Sequence, residues 1–221
     1  MRLFVKTLVA FLLGVLMMGA MLFLPAGTWM YRGAWLLMTL LFVPIGIVGG
    51  VLLVKNPDLL AKRLAMKERE GEQRGVVALS GLLLVVALVV ASLDFRFGWS
   101  DVSLGVVAMA SVTLLVGYAL YAEVLRENAY LSRVVEVQEG QQVISTGLYG
   151  IVRHPMYFAV TLIYLAMPLV LGSWWALLVM VPCVLLLVAR IKNEELVLCQ
   201  GLAGYVEYTK RVRYRLIPFV W

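Results

Sequence analysis

Six long apolar runs, separated by polar segments, dominate the pattern of the chain. They cover residues 4–24, 33–54, 76–93, 102–122, 155–171 and 174–190. At a rise of about 1.5 Å per residue, even a run of roughly 17 residues forms a helix of about 26 Å, close to the thickness of the hydrocarbon core of a bilayer. The pattern therefore predicts an all-α integral membrane protein with about six transmembrane helices.

The last two apolar runs are predicted to form a tight helical hairpin, because only Gly172-Ser173 separates them. Helices joined by so short a turn are antiparallel, so the start of the first and the end of the second lie at the same membrane face. A polar segment leads into the first helix, and the charged segment 190–195 follows the second. The hairpin thus gathers a candidate site from two segments: Arg153, His154, Tyr157, Glu194 and Glu195.

The fifth apolar run begins with the features of a helix N-terminus. Pro155 suits the first helical position, since its missing N–H would have no partner there, and His154 then becomes the N-cap. The free N–H groups of the first turn lie at the positive end of the helix dipole, which favours an anion. An anion-accepting helix end beside a carboxylate pair suits a zwitterionic ligand with ribose-like hydroxyls, and S-adenosylmethionine carries all of these groups.

Composition supports the membrane class, because 63% of the residues are apolar, against about 45–50% in soluble domains. The net charge of +6 follows from the topology. With the N-terminus inside, only Arg32 and Arg96 of the 19 Lys and Arg residues fall in outer loops, as the positive-inside rule requires. Both termini are therefore predicted to be cytoplasmic, in a bacterial inner membrane. Contact with membrane lipids accounts for the basicity, and nucleic acid is not needed.

Several kinds of site are not expected from this sequence. The two cysteines, Cys183 and Cys199, have the spacing of neither a disulfide framework nor a zinc site, and there is one histidine, so no metal site is predicted. No G-x-G-x-x-G follows a strand and no Walker A motif occurs, so neither a Rossmann nor a P-loop nucleotide site is predicted.

The chain divides into two regions by pattern. Residues 1–131 form a four-span membrane region, and residues 132–221 form the predicted catalytic region. Within the second region, residues 134–146 contain valines and an isoleucine on both sides of a polar turn, which predicts a small β-hairpin on the inner face.

Three motifs follow one another in the second region: G-x-Y-x-x-x-R-H-P-x-Y at 147–157, Glu194-Glu195, and Y-x-x-Y at 205–208 before a basic tail ending R-L-x-P at 215–218. Together they resemble the isoprenylcysteine carboxyl methyltransferase and phospholipid methyltransferase superfamily of integral membrane methyltransferases, over about residues 140–218. The resemblance implies S-adenosylmethionine-dependent methyl transfer at the cytoplasmic membrane face. The implied acceptor is membrane-embedded or lipidic, with an isoprenylcysteine-like carboxylate or a phospholipid-like amine.

The resemblance also implies roles for single residues. The cofactor-binding set is His154, Tyr157, Glu194, Glu195, Tyr149 and Pro155. The predicted catalytic residues are Arg153, which would face the acceptor, and Glu195, which is a candidate base for an amine acceptor. The predicted substrate-binding residues are Arg153, Tyr208 and Arg215, together with Tyr118 and Tyr121, whose position near the inner end of the fourth span suits an acceptor groove. Members often have glycine at the position of Ala159, whose methyl group is expected to narrow the cofactor cleft.

Simpler interpretations exist for several of these residues. Arg153 and Glu194 can act as snorkelling anchors at the ends of spans, and Glu194 can pair with Arg190 one helical turn away. Tyr118 and Tyr121 can anchor the fourth span at the interface.

Two other classes of protein are alternatives to a methyltransferase. One is a membrane reductase of the sterol reductase type, which has a similar C-terminal architecture and uses NADPH. The other is a transporter or a structural membrane protein, although a transporter should show ionisable residues near span centres, and these centres are apolar.

Overall fold

The computed structural model describes residues 2–64, 71–131 and 137–221 of the chain. The helices in these residues are α1 (Arg2–Ala26), α2 (Arg32–Lys55), α3 (Pro57–Leu64), α4 (Gly71–Phe97), α5 (Leu104–Glu127), α6 (Pro155–Val170), α7 (Trp174–Gly201) and α8 (Tyr205–Arg211). A 3-10 turn at Gly147–Gly150 lies between α5 and α6. The described residues form helices and turns, which confirms the predicted all-α class.

Five helical segments are long and apolar enough to cross a membrane: Leu3–Ala26, Arg32–Lys55, Gly75–Phe97, Leu104–Glu127 and Trp174–Gly201. They confirm the prediction of an integral membrane protein. Helix α6 is also apolar, but it has 16 residues. Its length is therefore about 24 Å, which is less than the hydrocarbon thickness of about 30 Å. The predicted sixth span depends on this shorter helix.

Helix α7 continues well past the predicted end of its apolar run at residue 190, as far as Gly201. The extension is helical because one of its faces has partners to pack against. Leu187, Ile191 and Glu195 follow one another at intervals of four residues and are all buried, so they share one face of the helix. The extension carries the glutamate pair beyond the bundle core as part of a rigid helix.

Helices α5 and α6 make the most extensive contact between any two helices of the described residues. Gly117 allows this close approach, because a Cβ atom there would lie 2.8 Å from Cγ1 of Ile163 and 3.1 Å from the carbonyl oxygen of Ala159. Ala159 is fully buried and is not among the residues of the ligand cleft described below. The expectation that its methyl group narrows the cleft is therefore wrong, because Ala159 is buried where α6 packs against α5 and does not line the cleft.

A buried polar cluster closes the bundle at the turn between α6 and α7. Asp94, 1% exposed, accepts hydrogen bonds from the hydroxyl groups of Ser100 (2.6 Å) and Ser173 (2.5 Å). Ser173 is the N-cap of α7 and accepts a bond from the backbone N–H of Ala176. The end of α4 is thereby tied to the start of α7, and this fixes the position of α7 in the bundle.

The predicted β-hairpin at 134–146 is not found where the structure describes this segment. Residues 137–146 contain a turn, in which the N–H of Gln141 bonds to the carbonyl oxygen of Gln138, and no strand; residues 134–136 lie outside the described residues. Val137 and Val143 pack against the buried cluster that includes Leu202 and Tyr205. The valines are therefore apolar because they cover the start of α8, and their spacing does not reflect strand pairing.

Candidate active site

The start of α6 and the end of α7 meet at the end of the bundle opposite the buried cluster of Asp94, as the hairpin geometry predicts. His154 is the N-cap of α6 and Pro155 is in its first turn, also as predicted. The imidazole makes no capping hydrogen bond. Instead, its Nε2 atom lies 3.3 Å from Oε1 of Glu195, so the two sequence segments are in direct contact.

The basic tail joins the same site through its backbone. The N–H groups of Arg153 and His154 each donate to the tail, to the carbonyl oxygens of Tyr214 and Arg215, both at 2.9 Å. Arg215 then returns its side chain to α7, where its Nε donates to Oε2 of Glu195 at 2.6 Å. The tail is therefore an integral part of the site up to Arg215.

Glu195 is surrounded by basic groups and is 8% exposed. Nε of Arg153 lies 2.9 Å from its Oε1 atom, which also faces His154, while Arg215 binds its Oε2 atom. The contact with Arg153 is an ion pair whose geometry is not that of a hydrogen bond, since Arg153 Nε has no hydrogen-bond acceptor. Both carboxylate oxygens of Glu195 are thus occupied by neighbouring side chains.

Glu194 has different surroundings, because it lies on another face of α7. Its Oε2 atom accepts a hydrogen bond of 2.5 Å from the hydroxyl of Tyr157. The same hydroxyl accepts a bond of 3.0 Å from Nε of Arg190. The alternative interpretation, an isolated pair of Arg190 and Glu194, is incomplete, because the Tyr157 hydroxyl is bonded to both residues.

A cleft of about 90 Å³ lies between these groups. Its charged and ring-bearing lining residues are Tyr130, Tyr149, Arg153, His154, Tyr157, Glu194, Tyr205 and Tyr208. Its remaining walls come from Met156 of α6, from α7 and Leu202 directly after it, from the segment after α5 and from residues 141–144. Ligand pockets commonly measure about 300–1,000 Å³, so a ligand that carries a nucleoside requires the walls to separate.

Two of the lining tyrosines are linked to each other. The hydroxyl of Tyr208 donates to the carbonyl oxygen of Tyr149 at 2.7 Å, and Nδ2 of Asn128 donates to the hydroxyl of Tyr149 at 2.9 Å. Burial raises the pKa of Tyr208, so this phenol remains a neutral donor. The turn that carries Tyr149 is thus held between the end of α5 and α8.

The structure also shows which predicted residues are not on the cleft. Glu195 and Arg215 form an ion pair and do not line the cleft, and Pro155 shapes the helix start without lining it. Tyr118 and Tyr121 line a second, apolar cavity of about 200 Å³ between α2, α3 and α5. Of the predicted residues, Tyr149, Arg153, His154, Tyr157, Glu194 and Tyr208 come together around the cleft.

The sequence analysis missed most of the apolar and amide lining residues and two lining residues with hydrogen bonds or hydroxyls of interest, Asn128 and Tyr205. Asn128 follows α5 without any motif, so the sequence carries no signal for it. Tyr205 is the first tyrosine of the Y-x-x-Y pattern, which did give a signal, but only Tyr208 was selected. Its hydroxyl is buried and has no hydrogen-bond partner among the described residues.

The chemistry of the cleft fits S-adenosylmethionine. A carboxylate at Glu194 complements the ammonium group of that cofactor, and the first turn of α6 adds an anion-accepting helix end for its carboxylate. The unpaired hydroxyl of Tyr205 is a further polar group that a ligand would satisfy.

The described residues form a helical membrane bundle with a polar cleft at one end, which defines the class: an integral membrane protein with a candidate ligand site. Residues 101–201 match the model of the phospholipid methyltransferase family. This match confirms, for a region that extends from α5 to the end of α7, the resemblance to the superfamily of integral membrane methyltransferases. A search of curated proteins found no match.

Proposed function

We propose that the protein transfers a methyl group from S-adenosylmethionine to a lipidic acceptor at the cytoplasmic face of a bacterial inner membrane. The observation that carries the proposal is the convergence of Arg153, His154 and Tyr157 with Glu194 on one cleft, inside a region that matches a methyltransferase family. The orientation follows from the distribution of Lys and Arg between loops.

His154, Tyr157 and Glu194, with Tyr149 beside them, are the residues proposed to hold the cofactor. When bound, the cofactor supplies an electrophilic methyl group on a sulfonium. Glu194 supplies a negative charge on the cleft wall, and its position is fixed by Tyr157. The protein's main contribution is to hold the reactants in line and to exclude water, so proximity and orientation supply most of the rate.

Glu195 is proposed to position the two arginines. Both of its oxygens face basic groups, which leaves none directed at the cleft. Arg153 is then held as a fixed cation on the cleft wall, where its forked guanidinium can bind an acceptor carboxylate or phosphate in a bidentate manner. For an amine acceptor, His154 is a group on the cleft wall that can accept a proton.

The second cavity supports a lipidic acceptor. Its lining residues are apolar apart from the hydroxyl groups of Tyr118 and Tyr121. It reaches Leu125 on α5, and Asn128 of the cofactor cleft lies one helical turn further along the chain. An acceptor with an apolar chain can therefore place the chain in this cavity and its polar head toward the cleft.

Calorimetry on detergent-solubilised protein tests the proposal. S-adenosylmethionine should bind and NADPH should not, whereas binding of NADPH alone would favour a reductase. We expect three substitutions to weaken the binding of S-adenosylmethionine about tenfold to a hundredfold each, because each removes a polar partner: His154→Ala, Tyr157→Phe and Glu194→Gln. Tyr121→Phe is the matched control, since Tyr121 lines the other cavity. Unchanged affinity in all three cleft variants would place the cofactor elsewhere.

Arg153→Lys separates cofactor binding from acceptor binding. We expect the affinity for S-adenosylmethionine to stay within a few-fold, and methyl transfer to a membrane extract to fall at least about tenfold, because lysine cannot reproduce the forked contact. If cofactor affinity and methyl transfer fall equally, Arg153 binds the cofactor. If neither falls, Arg153 is a membrane anchor.

A further inference from the structure

Tyr205 has a buried hydroxyl group without a hydrogen-bond partner among the described residues. Its side chain is 4% exposed, and the hydroxyl oxygen itself is inaccessible to solvent. Buried polar groups are hydrogen-bonded in the great majority of cases, because burial without a partner costs free energy. Nε of Arg153 is the other such atom in the described residues, but it is compensated by its ion pair with Glu195.

Tyr205 is one of the residues that line the cofactor cleft, so its buried hydroxyl lies next to the cleft and becomes available to a ligand when the walls separate. Tyr205 is the first residue of α8, directly after Gly204, whose φ of +82° turns the chain from α7 into α8. Its ring packs against Tyr208 with a centroid distance of 5.6 Å and belongs to the buried cluster around Leu202. The ring is therefore held rigidly while its hydroxyl remains unpaired.

Charged groups of the site act on the same phenol. Burial, followed by the charges of Glu195 and Glu194, raises the pKa of Tyr205, and Arg153 opposes this effect. The hydroxyl is consequently neutral at physiological pH, and it can both donate and accept a hydrogen bond. A neutral hydroxyl of this kind can form a hydrogen bond with a polar atom of a ligand.

The two tyrosines of the Y-x-x-Y motif therefore have different environments. The hydroxyl of Tyr208 is satisfied inside the protein by the carbonyl oxygen of Tyr149, and that of Tyr205 is not. We propose that Tyr205 is a ligand-binding residue whose hydroxyl forms a hydrogen bond with S-adenosylmethionine in the cleft, and that Tyr208 stabilises the fold. This inference rests on the proposed function and adds to it a residue outside the region that matches the family.

Two measurements on the detergent-solubilised protein test the inference: thermal melting without ligand, and calorimetric titration with S-adenosylmethionine. Tyr205→Phe should melt at or above the temperature of the parent, because it removes an unsatisfied buried hydroxyl. It should also weaken cofactor binding at least about tenfold, the size expected for one hydrogen bond. Tyr208→Phe is the matched comparison, and it should lower the melting temperature by about 2–4 °C, because it breaks an existing bond.

The outcomes separate this inference from the proposed function. If the parent binds the cofactor and Tyr205→Phe binds it with the same Kd, the inference is wrong and the proposed function stands. A melting temperature of Tyr205→Phe that falls as far as that of Tyr208→Phe would show that the hydroxyl has a partner inside the protein, which also overturns the inference. If the parent does not bind S-adenosylmethionine, both the proposed function and the inference fail.

Discussion

Glu194 and Glu195 are neighbours in the chain, but their carboxylates have different partners. Glu194 accepts a hydrogen bond from Tyr157 and lines the cleft, whereas Glu195 is buried between Arg153 and Arg215. One residue of the pair is therefore available to a ligand, and the other holds the protein together.

This difference predicts that the two glutamine variants behave differently. Glu195→Gln should lower the free energy of unfolding by on the order of 3 kcal/mol, because it leaves the buried charge of Arg153 unpaired. Glu194→Gln should unfold close to the parent, because an amide oxygen still accepts the bond from Tyr157. Chemical denaturation in detergent measures both, and equal stability of the two variants would contradict the assignment.

Gly147→Ala is predicted to force the carboxylate of Glu127 away from the N–H of Leu148. A Cβ atom there would lie within bonding distance of the carboxylate of Glu127, which accepts the N–H of Leu148 at 3.1 Å, and the φ of Gly147 is +51°. Gly147→Ala should therefore destabilise the protein beyond the roughly 1–3 kcal/mol of left-handed strain, and should displace the turn that carries Tyr149.

Gly140→Ala is the control for this variant. Gly140 also has a positive φ, +70°, but a Cβ atom there would meet nothing within 4 Å. Gly140→Ala should therefore be destabilised by the backbone strain alone. If the melting temperature falls by the same amount in Gly147→Ala and Gly140→Ala, the contact with Glu127 does not contribute to stability.

The close contact of α5 and α6 predicts that Gly117→Ala weakens the bundle. The added methyl would meet the carbonyl oxygen of Ala159 at 3.1 Å, and a backbone atom cannot move aside as a side chain can. Gly105→Ala, in the same helix, meets only Ser103 Oγ at 3.9 Å and should be neutral or stabilising by up to about 1 kcal/mol. Melting in detergent compares the two. Similar melting of both variants would mean that α6 can shift without cost.

The positive-inside pattern predicts the orientation of the chain. Reporter fusions after Arg32 and Arg96 should be external, and fusions after Arg74 and Trp221 should be internal. An external C-terminus would place the cleft on the outer face, away from the cytoplasmic supply of cofactor.

Much of the fold was predictable, because long apolar runs have few stable forms in a bilayer. The helix start at Pro155 and the antiparallel hairpin followed from local chemistry and a short turn, and they were sufficient to bring His154 near Glu195. The β-hairpin at 134–146 was wrong where the segment is described, since the alternation of valines was read as a sheet face. Val137 and Val143 are apolar because they cover α8.

By itself, the sequence determined the membrane class, the helical pattern and the two polar segments that form the site, because these depend on hydrophobicity and on spacing along one helix or turn. Only the tertiary structure decided which glutamate faces the cleft, that Arg215 returns to Glu195, and that the hydroxyl of Tyr205 is unpaired while that of Tyr208 is bonded. Each of these depends on contacts between segments distant in the chain, where a rotation of a helix by one residue changes the partner of every side chain on it.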